Sequence, residues 1–422
     1  MVTHRLLIAT FLVTAAACSS SNSGGSSGSG GSGTGGTSNA TGGTTSSGGQ
    51  LGTGGSSATG GSTSTGGSGT GGQPSTGGVT GAGGSTATGG AGGATATGGT
   101  HASGGAAGSG SGGSAGGSTG NGGAVKPSAG CTKSGGLQTL TVGGSSVAGA
   151  PSTSTRLKGV MSGGKSRLVI LDVPADYDAT KPYRLIFSWR QLGGSDTGNA
   201  TGLHPAGDGP NFDAEHYAYF GLRREALNAK QPAIFVAPDT DPAGALWDYN
   251  KDSVYFDDLL KLLTDNLCID ENRVFTTGFS YGAMMSFGLS NGKAAKLRAA
   301  VTMAPSQFGP SAASGPIAYM STTGMSDGTC KWGNATSGGE GCVMTHAKAN
   351  GCTIPSTFPT AAVGSKKYVC YDFEGCMAGY PVKVCTFDGP HTPSSVDDGT
   401  QVGEDGLKAF IPPIAWKFIT QF

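Results

Sequence analysis

Gly278-Phe279-Ser280-Tyr281-Gly282 is the sharpest chemical signal in the chain. A serine hydroxyl is a weak nucleophile at its ordinary pKa. It becomes useful when a base takes its proton and an acid orients that base. G-x-S-x-G supports such use when a strand runs into it and a helix leaves it, because the serine then stands exposed on a strained turn. Both flanks fit: Arg273-Val274-Phe275-Thr276-Thr277 precedes, and Ala283-Met284-Met285-Ser286-Phe287 follows. Gly278 and Gly282 keep side chains out of the crowded space around Ser280. A helix starting just after it offers partial positive charge to a developing oxyanion. In strand–elbow–helix enzymes the chain order is Ser, acid, His. Two histidines follow Ser280. His391, in Phe387-Asp388-Gly389-Pro390-His391 at the end of an apolar run, is the expected base. His346, in a polar and helical stretch, is expected at the surface. Asp327, after a strand and a glycine, is the expected acid. Asp372 and Asp388 compete, and Asp388 reads as a turn residue. The chemistry implied is acyl transfer through Ser280, with no cofactor.

The elements that must position these residues alternate. Apolar runs at 167–173, 184–189, 233–237, 273–277, 299–304 and 317–322 read as strands, most of them continuous as in strands buried on both faces of a parallel sheet. Another apolar run, 380–387, leads to His391. Residues 254–267 carry apolar side chains at helical spacing, with Asp252 or Ser253 as the expected cap. Residues 281–290 and 413–422 also read as helices, with Pro413 in the first turn of the last. Alternating strands and helices predict an α/β fold with a mostly parallel sheet.

Composition divides the chain. Of 422 residues, 81 are glycine, and 45 of those fall in residues 1–130. That stretch holds only Arg5 and Lys126 as charged residues, and Phe11 as its only aromatic. Residues 131–422 carry 24 Lys+Arg against 26 Asp+Glu. A single globular domain is excluded, since the first third has nothing to bury. Irregular glycine pairs exclude collagen, and the charge balance argues against nucleic-acid binding. Residues 1–18 read as a signal peptide: Arg5, a short apolar run over 6–17, then Ala15-Ala16-Ala17-Cys18, which is similar to a bacterial lipobox with Cys18 lipidated. The run is too short to span a bilayer as a helix. An ordinary secretory signal with an incidental Cys18 is the alternative. Both export the chain, and a lipid at Cys18 would be its only membrane attachment. Residues 19–130 are expected to form a disordered Gly/Ser/Thr/Ala-rich linker with a reach of roughly 50–60 Å. Residues 131–422 form the folded domain, expected to be monomeric.

Without Cys18, eight cysteines remain: Cys131, Cys268, Cys330, Cys342, Cys352, Cys370, Cys376 and Cys385. An even number in an exported domain predicts disulfides. Spacing suggests Cys330–Cys342 and Cys370–Cys376 as local pairs, leaving Cys131–Cys268 and Cys352–Cys385. No C-x₂-C occurs, which argues against a zinc site.

Over 155–422 the chain resembles the secreted carbohydrate esterases related to polyhydroxybutyrate depolymerases, a group that includes feruloyl and acetylxylan esterases. The resemblance is carried by Tyr219-Phe220-Gly221-Leu222, Ala233-Ile234-Phe235-Val236-Ala237-Pro238, Cys268-Ile269-Asp270, the elbow through Met285, Asn350-Gly351-Cys352, and Asp388-Gly389-Pro390-His391. It implies an α/β-hydrolase fold and a serine esterase whose motif positions fall on Ser280, Asp327 and His391. The substrate it implies is a feruloyl or acetyl ester of plant polysaccharide, with a polyester as alternative. The family usually has His-Gly after the strand at 184–189, where backbone helps form the oxyanion hole. Here Arg190-Gln191 stand instead. The N–H groups of Leu192 and Tyr281 are the expected oxyanion donors. Arg190 is expected either to lie at the surface or to meet an acidic group of the substrate. Trp247, Trp332 and Tyr281 are candidate linings of a substrate cleft, with packing as the alternative for the two tryptophans. A non-catalytic surface protein that kept the fold is the rival reading, resting on Arg190-Gln191.

Overall fold

The apolar runs between residues 169 and 387 become strands that bury both faces. The computed structural model describes residues 123–202, 217–240, 242–334, 336–395 and 409–422. The expected signal at 1–18 with Cys18, and the linker up to residue 122, lie outside the described residues. The strands are β1 Ser145–Ser146, β2 Ser154–Arg156, β3 Val160–Ser162, β4 Lys165–Arg167, β5 Val169–Asp172, β6 Tyr183–Trp189, β7 Ala233–Pro238, β8 Ile269–Phe279, β9 Ala299–Met303, β10 Ala318–Gly324, β11 Tyr368–Asp372 and β12 Val382–Phe387. Ten of them form one sheet in the order β1-β2-β5-β7-β6-β8-β9-β10-β12-β11. The six from β7 to β12 in that order are mutually parallel, and β1, β2, β5 and β11 join by antiparallel pairing at the flanks. This is the expected α/β-hydrolase fold, a mostly parallel sheet flanked by helices.

The helices are α1 Gly136–Thr141, α2 Asp196–Thr201, α3 Leu222–Asn228, α4 Tyr249–Asn266, α5 Tyr281–Gly292, α6 Gly339–Ala349 and α7 Ile411–Thr420. Strand residues alternate between faces. Ile186, Phe235 and Phe275 pack in one cluster with Leu222 of α3 and Trp416 and Ile419 of α7. Leu185, Phe187, Ile234 and Val274 pack in another with Phe256, Leu259 and Leu263 of α4 and Met285 of α5. Each such buried side chain contributes about 1.5–3 kcal/mol relative to exposure. A third cluster places Val343 and Ala347 of α6 against Tyr319, Val382 and Val384.

Several expectations shift. The run at 167–173 is broken at Leu168: β4 pairs with β3 in a separate hairpin, and only β5 joins the main sheet. Helix α4 begins five residues early, because Asp248 caps it by accepting from Asn250 N. Asp252 is instead drawn inside the fold, where it pairs with Arg167 at 2.5 Å. The folded chain also begins before residue 131: Lys126 N donates to Asp270 Oδ1 at 2.9 Å and Ser128 N to Ile269 O at 2.8 Å, so residues assigned to the linker run along β8.

The cysteine pairing is partly corrected. Cys131–Cys268 forms as expected. Among the described residues, two further pairs are Cys352–Cys376 and Cys370–Cys385. Cys370 and Cys385 face each other in the β11–β12 register, which spacing along the chain does not reveal. Cys342 on α6 is a buried free thiol, so it does not join Cys330.

Candidate active site

The C-terminal ends of the parallel strands carry the polar residues. Arg190 follows β6, Asp239 follows β7, Ser280 follows β8, Asp327 lies three residues past β10, and His391 lies four past β12. Open parallel sheets bind ligands at this edge.

Ser280 joins β8 to α5 at φ 54° and ψ −120°. A non-glycine residue held there costs on the order of 1–3 kcal/mol and persists only where its surroundings dictate it. Those surroundings are tight. Ser280 N donates to Met303 O at 2.9 Å, fastening the turn to the end of β9. A Cβ on Gly278 would lie 2.4 Å from the Gly282 carbonyl carbon, and one on Gly282 would lie 1.9 Å from Trp189 O and 2.7 Å from Arg190 O. Both positions therefore exclude any side chain, and the end of β6 lies directly against the turn. Tyr281 is the first residue of α5, so its N–H is among those without an intrahelical acceptor.

His391 Nε2 lies 2.8 Å from Ser280 Oγ, and His391 Nδ1 lies 2.7 Å from Asp327 Oδ2. Asp327 Oδ1 accepts from Thr329 N and Cys330 N, both at 2.8 Å. An ionised carboxylate only accepts, so Nδ1–H donates to Asp327 and Nε2 is left to accept from the serine hydroxyl. The Asp327 side chain has no exposed surface, while 17% of the His391 side chain reaches solvent. Burial of the acid behind the imidazole keeps water from competing for its oxygens. The loops are sewn together by backbone: Met325 N donates to Phe387 O at 2.8 Å and Ser326 N to Gly389 O at 3.0 Å. A Cβ on Gly324 would lie 2.3 Å from Gly389 O, which is what lets the two strand ends converge. The Phe279 ring sits 4.6 Å from the imidazole. Such a relay can draw a proton from a serine hydroxyl and return it to a leaving group.

The other candidates separate. Asp372 is exposed and pairs with Lys383 at 2.6 Å across β11–β12, away from Ser280's relay. Asp388 accepts from Lys366 N at 2.7 Å in its turn. His346 is not at the surface. It is fully buried, 2.9 Å from Ser290 Oγ through Nε2 and stacked on Tyr319 at 4.1 Å. Its helix is polar along one side, but that side faces the α5 hydroxyl and not water.

Arg190 is neither a surface residue nor in reach of substrate: it has no exposed surface. Its Nε pairs with Asp239 Oδ1 at 2.5 Å, its Nη2 donates to Thr240 Oγ1 at 2.7 Å and Ala245 O at 2.5 Å, and its Nη1 donates to Gln191 O at 3.1 Å. A buried charge is tolerated because its partner and its hydrogen bonds are supplied together. Asp239 was missed in the sequence, although a carboxylate ending the wholly apolar run Ala233–Pro238 is a usable signal of a buried partner. Trp247 is 2% exposed, donates from Nε1 to Arg190 O at 3.0 Å and lies edge-on to Trp189. It forms the floor of a cleft of about 1360 Å³ that Leu246, Tyr249, Tyr281 and Phe308 also border. Trp332 does not border that cleft; it is half-buried and packs edge-on to Phe358 at 6.0 Å. The Leu192 side chain packs partly buried against the α4–α5 cluster.

No protein-family profile matches the chain. Feruloyl esterase D of Neurospora crassa is 31% identical over 300 residues, covering 71% of this chain and 92% of that protein. Feruloyl esterase C of Emericella nidulans is 31% identical over 255 residues, covering 60% and 83%. Among solved structures, an acetyl xylan esterase from Aspergillus awamori superposes with a TM-score of 0.41 at 13% identity, covering 57% of this chain and 94% of its own. With nearly the whole of the Neurospora protein matched, the chain belongs to the feruloyl esterase family and is a carboxylic-ester hydrolase.

Proposed function

We propose that Ser280, His391 and Asp327 are the catalytic triad of an exported esterase that removes feruloyl or acetyl groups from plant polysaccharide. The observation that carries this reading is the unbroken relay from Ser280 Oγ through His391 to Asp327, at 2.8 and 2.7 Å. His391 takes the Ser280 proton as the oxygen attacks the ester carbonyl. Asp327 holds the imidazole in the right tautomer and stabilises the imidazolium. The N–H groups of Tyr281 and Leu192 receive the oxyanion. His391 then protonates the departing sugar alkoxide, and water hydrolyses the acyl-enzyme by the same steps in reverse. The names of the Neurospora and Emericella relatives support a feruloyl ester as substrate. The cleft bordered by Leu246, Tyr281 and Phe308 supports an aromatic acyl group or a sugar next to Tyr281, although Ser280 and His391 do not themselves line it.

Methyl ferulate, acetylated xylan and polyhydroxybutyrate film, offered side by side to wild type and Ser280→Ala, test the reading. Turnover of ferulate or acetate that disappears in the variant is expected. Turnover of the polyester alone would move the substrate assignment, and activity surviving in Ser280→Ala would remove the triad.

Export is supported by the described disulfides, which persist in oxidising compartments. We extend the proposal to the N-terminus: residues 1–18 direct export, Cys18 carries a lipid in a bacterial host, and residues 19–122 tether the domain. Incorporation of labelled palmitate that is lost in Cys18→Ser checks this; equal labelling of both forms would contradict it.

A further inference from the structure

We propose that Arg190 is a positioning residue for the oxyanion hole, setting the plane of the Gln191–Leu192 peptide so that the Leu192 N–H faces the reacting carbonyl. The inference rests on the triad reading of Ser280.

Gln191 C=O and Leu192 N–H belong to the same trans peptide, so they point in opposite directions. Gln191 O accepts from two donors, Arg190 Nη1 at 3.1 Å and Gly194 N at 3.1 Å. Those donors hold the carbonyl to the side of the buried guanidinium. The Leu192 N–H is thereby turned to the other side, and no hydrogen bond among the described residues occupies it. The preceding carbonyls face the elbow: Trp189 O and Arg190 O are the atoms that a Cβ on Gly282 would strike. The Gln191–Leu192 peptide thus follows directly on a carbonyl packed against the elbow, with its own carbonyl drawn to the guanidinium and its N–H unspent.

The guanidinium can fix this plane because it is itself fixed. Asp239 Oδ1 holds Nε at 2.5 Å, and Thr240 Oγ1 and Ala245 O hold Nη2. Trp247 lies under the guanidinium, 4.8 Å from its carbon, and ties the Arg190 carbonyl through Nε1. Asp239 is secured in turn by Thr240 N at 2.8 Å. The planar fork serves the carboxylate and the Gln191 carbonyl at once, whereas a lysine is a point donor on a flexible stem.

Arg190→Lys is therefore the informative change. Arg223→Lys is its control, since Arg223 pairs with Asp172 at 2.6 Å from α3 and touches nothing on residues 190–192. Rates of methyl ferulate hydrolysis and of phosphonylation by an aryl phosphonate are measured on the full chain, per site titrated, at a temperature where each variant is folded. Removing one oxyanion donor from other serine hydrolases lowers kcat by about 10²–10³-fold, and a misaimed donor is expected to lose at least tenfold. Arg190→Lys should lose at least that in kcat and in phosphonylation rate, with KM within about twofold. Arg223→Lys should lower the melting temperature and leave kcat unchanged. If Arg190→Lys does not fold, the isosteric Asp239→Asn takes its place, with the same split between kcat and KM at severalfold. Wild-type kcat per titrated site in the folded variant would overturn the proposal. Wild type that is not phosphonylated at Ser280 would overturn the triad itself, a result separable from the first.

Discussion

Lowering the pH below 6.5 loads a proton onto His346 far more easily when the domain is open than when it is closed. The side chain is fully buried, Nε2 meets Ser290 Oγ at 2.9 Å, and Nδ1 has no hydrogen-bond partner among the described residues. Burial disfavours the imidazolium and pushes its pKa down to about 3 from the ordinary 6.5. Between those values the unfolded chain binds more protons than the folded one, so stability rises with pH through that window. The contribution is complete above pH 6.5 and is lost as the pH falls toward 3. At 1.36 kcal/mol per unit, the loss is about 2 kcal/mol at pH 5 and about 3 kcal/mol at pH 4. Other groups titrate in the same range, so the quantity to measure is a difference. Guanidinium unfolding of wild type and His346→Asn, at pH 7.5, 6, 5 and 4, isolates it. The stability advantage of wild type over the variant should shrink by those amounts. An advantage that stays flat, or grows in acid, would refute the claim that His346 is held neutral by burial.

Other perturbations probe separate parts of the account. Gly282→Ala places a Cβ 1.9 Å from Trp189 O; thermal unfolding should show a loss of about 3 kcal/mol or more, with activity abolished as the elbow separates from β6. Asp327→Asn keeps the shape of the acid but not its charge, and stopped-flow or steady-state assays should find kcat down by about 10³–10⁴-fold with KM little changed. Removing the Cys131–Cys268 bridge, which spans 137 residues of sequence, should cost about 3–5 kcal/mol by denaturant titration of the double serine variant.

How much was legible in advance depended on whether the deciding contacts are local. The strands β6, β7, β9 and β10 were readable because parallel strands buried on both faces are apolar throughout, and that property lies in consecutive residues. The elbow was readable because its strand, two glycines and helix are contiguous. Ser280, Asp327 and His391 were nominated by chain order and by strand-end loops, and the hydrogen-bond relay joins those same three. The short edge strand β11 was missed because its residues are half-buried and its partner lies across a turn. Three disulfide pairs were misassigned: β11–β12 register joins Cys370 to Cys385, and Cys342 stays a buried free thiol. Arg190 was misjudged because only the fold brings Asp239, 49 residues away, into its reach. The burial of His346 likewise depends on Ser290 and Tyr319, which come from other elements. Charged and polar residues were hardest to place, because the sequence alone does not show which carry a buried partner.

The central claim is that Ser280 is a nucleophile activated by His391. Covalent labelling by a fluorophosphonate, read by mass spectrometry of the Ser280 peptide, tests it most directly. One label per chain on Ser280 is expected, with the labelling rate falling by at least about 10³-fold in His391→Ala. Label on another residue, or a rate in His391→Ala equal to that of wild type, would contradict it.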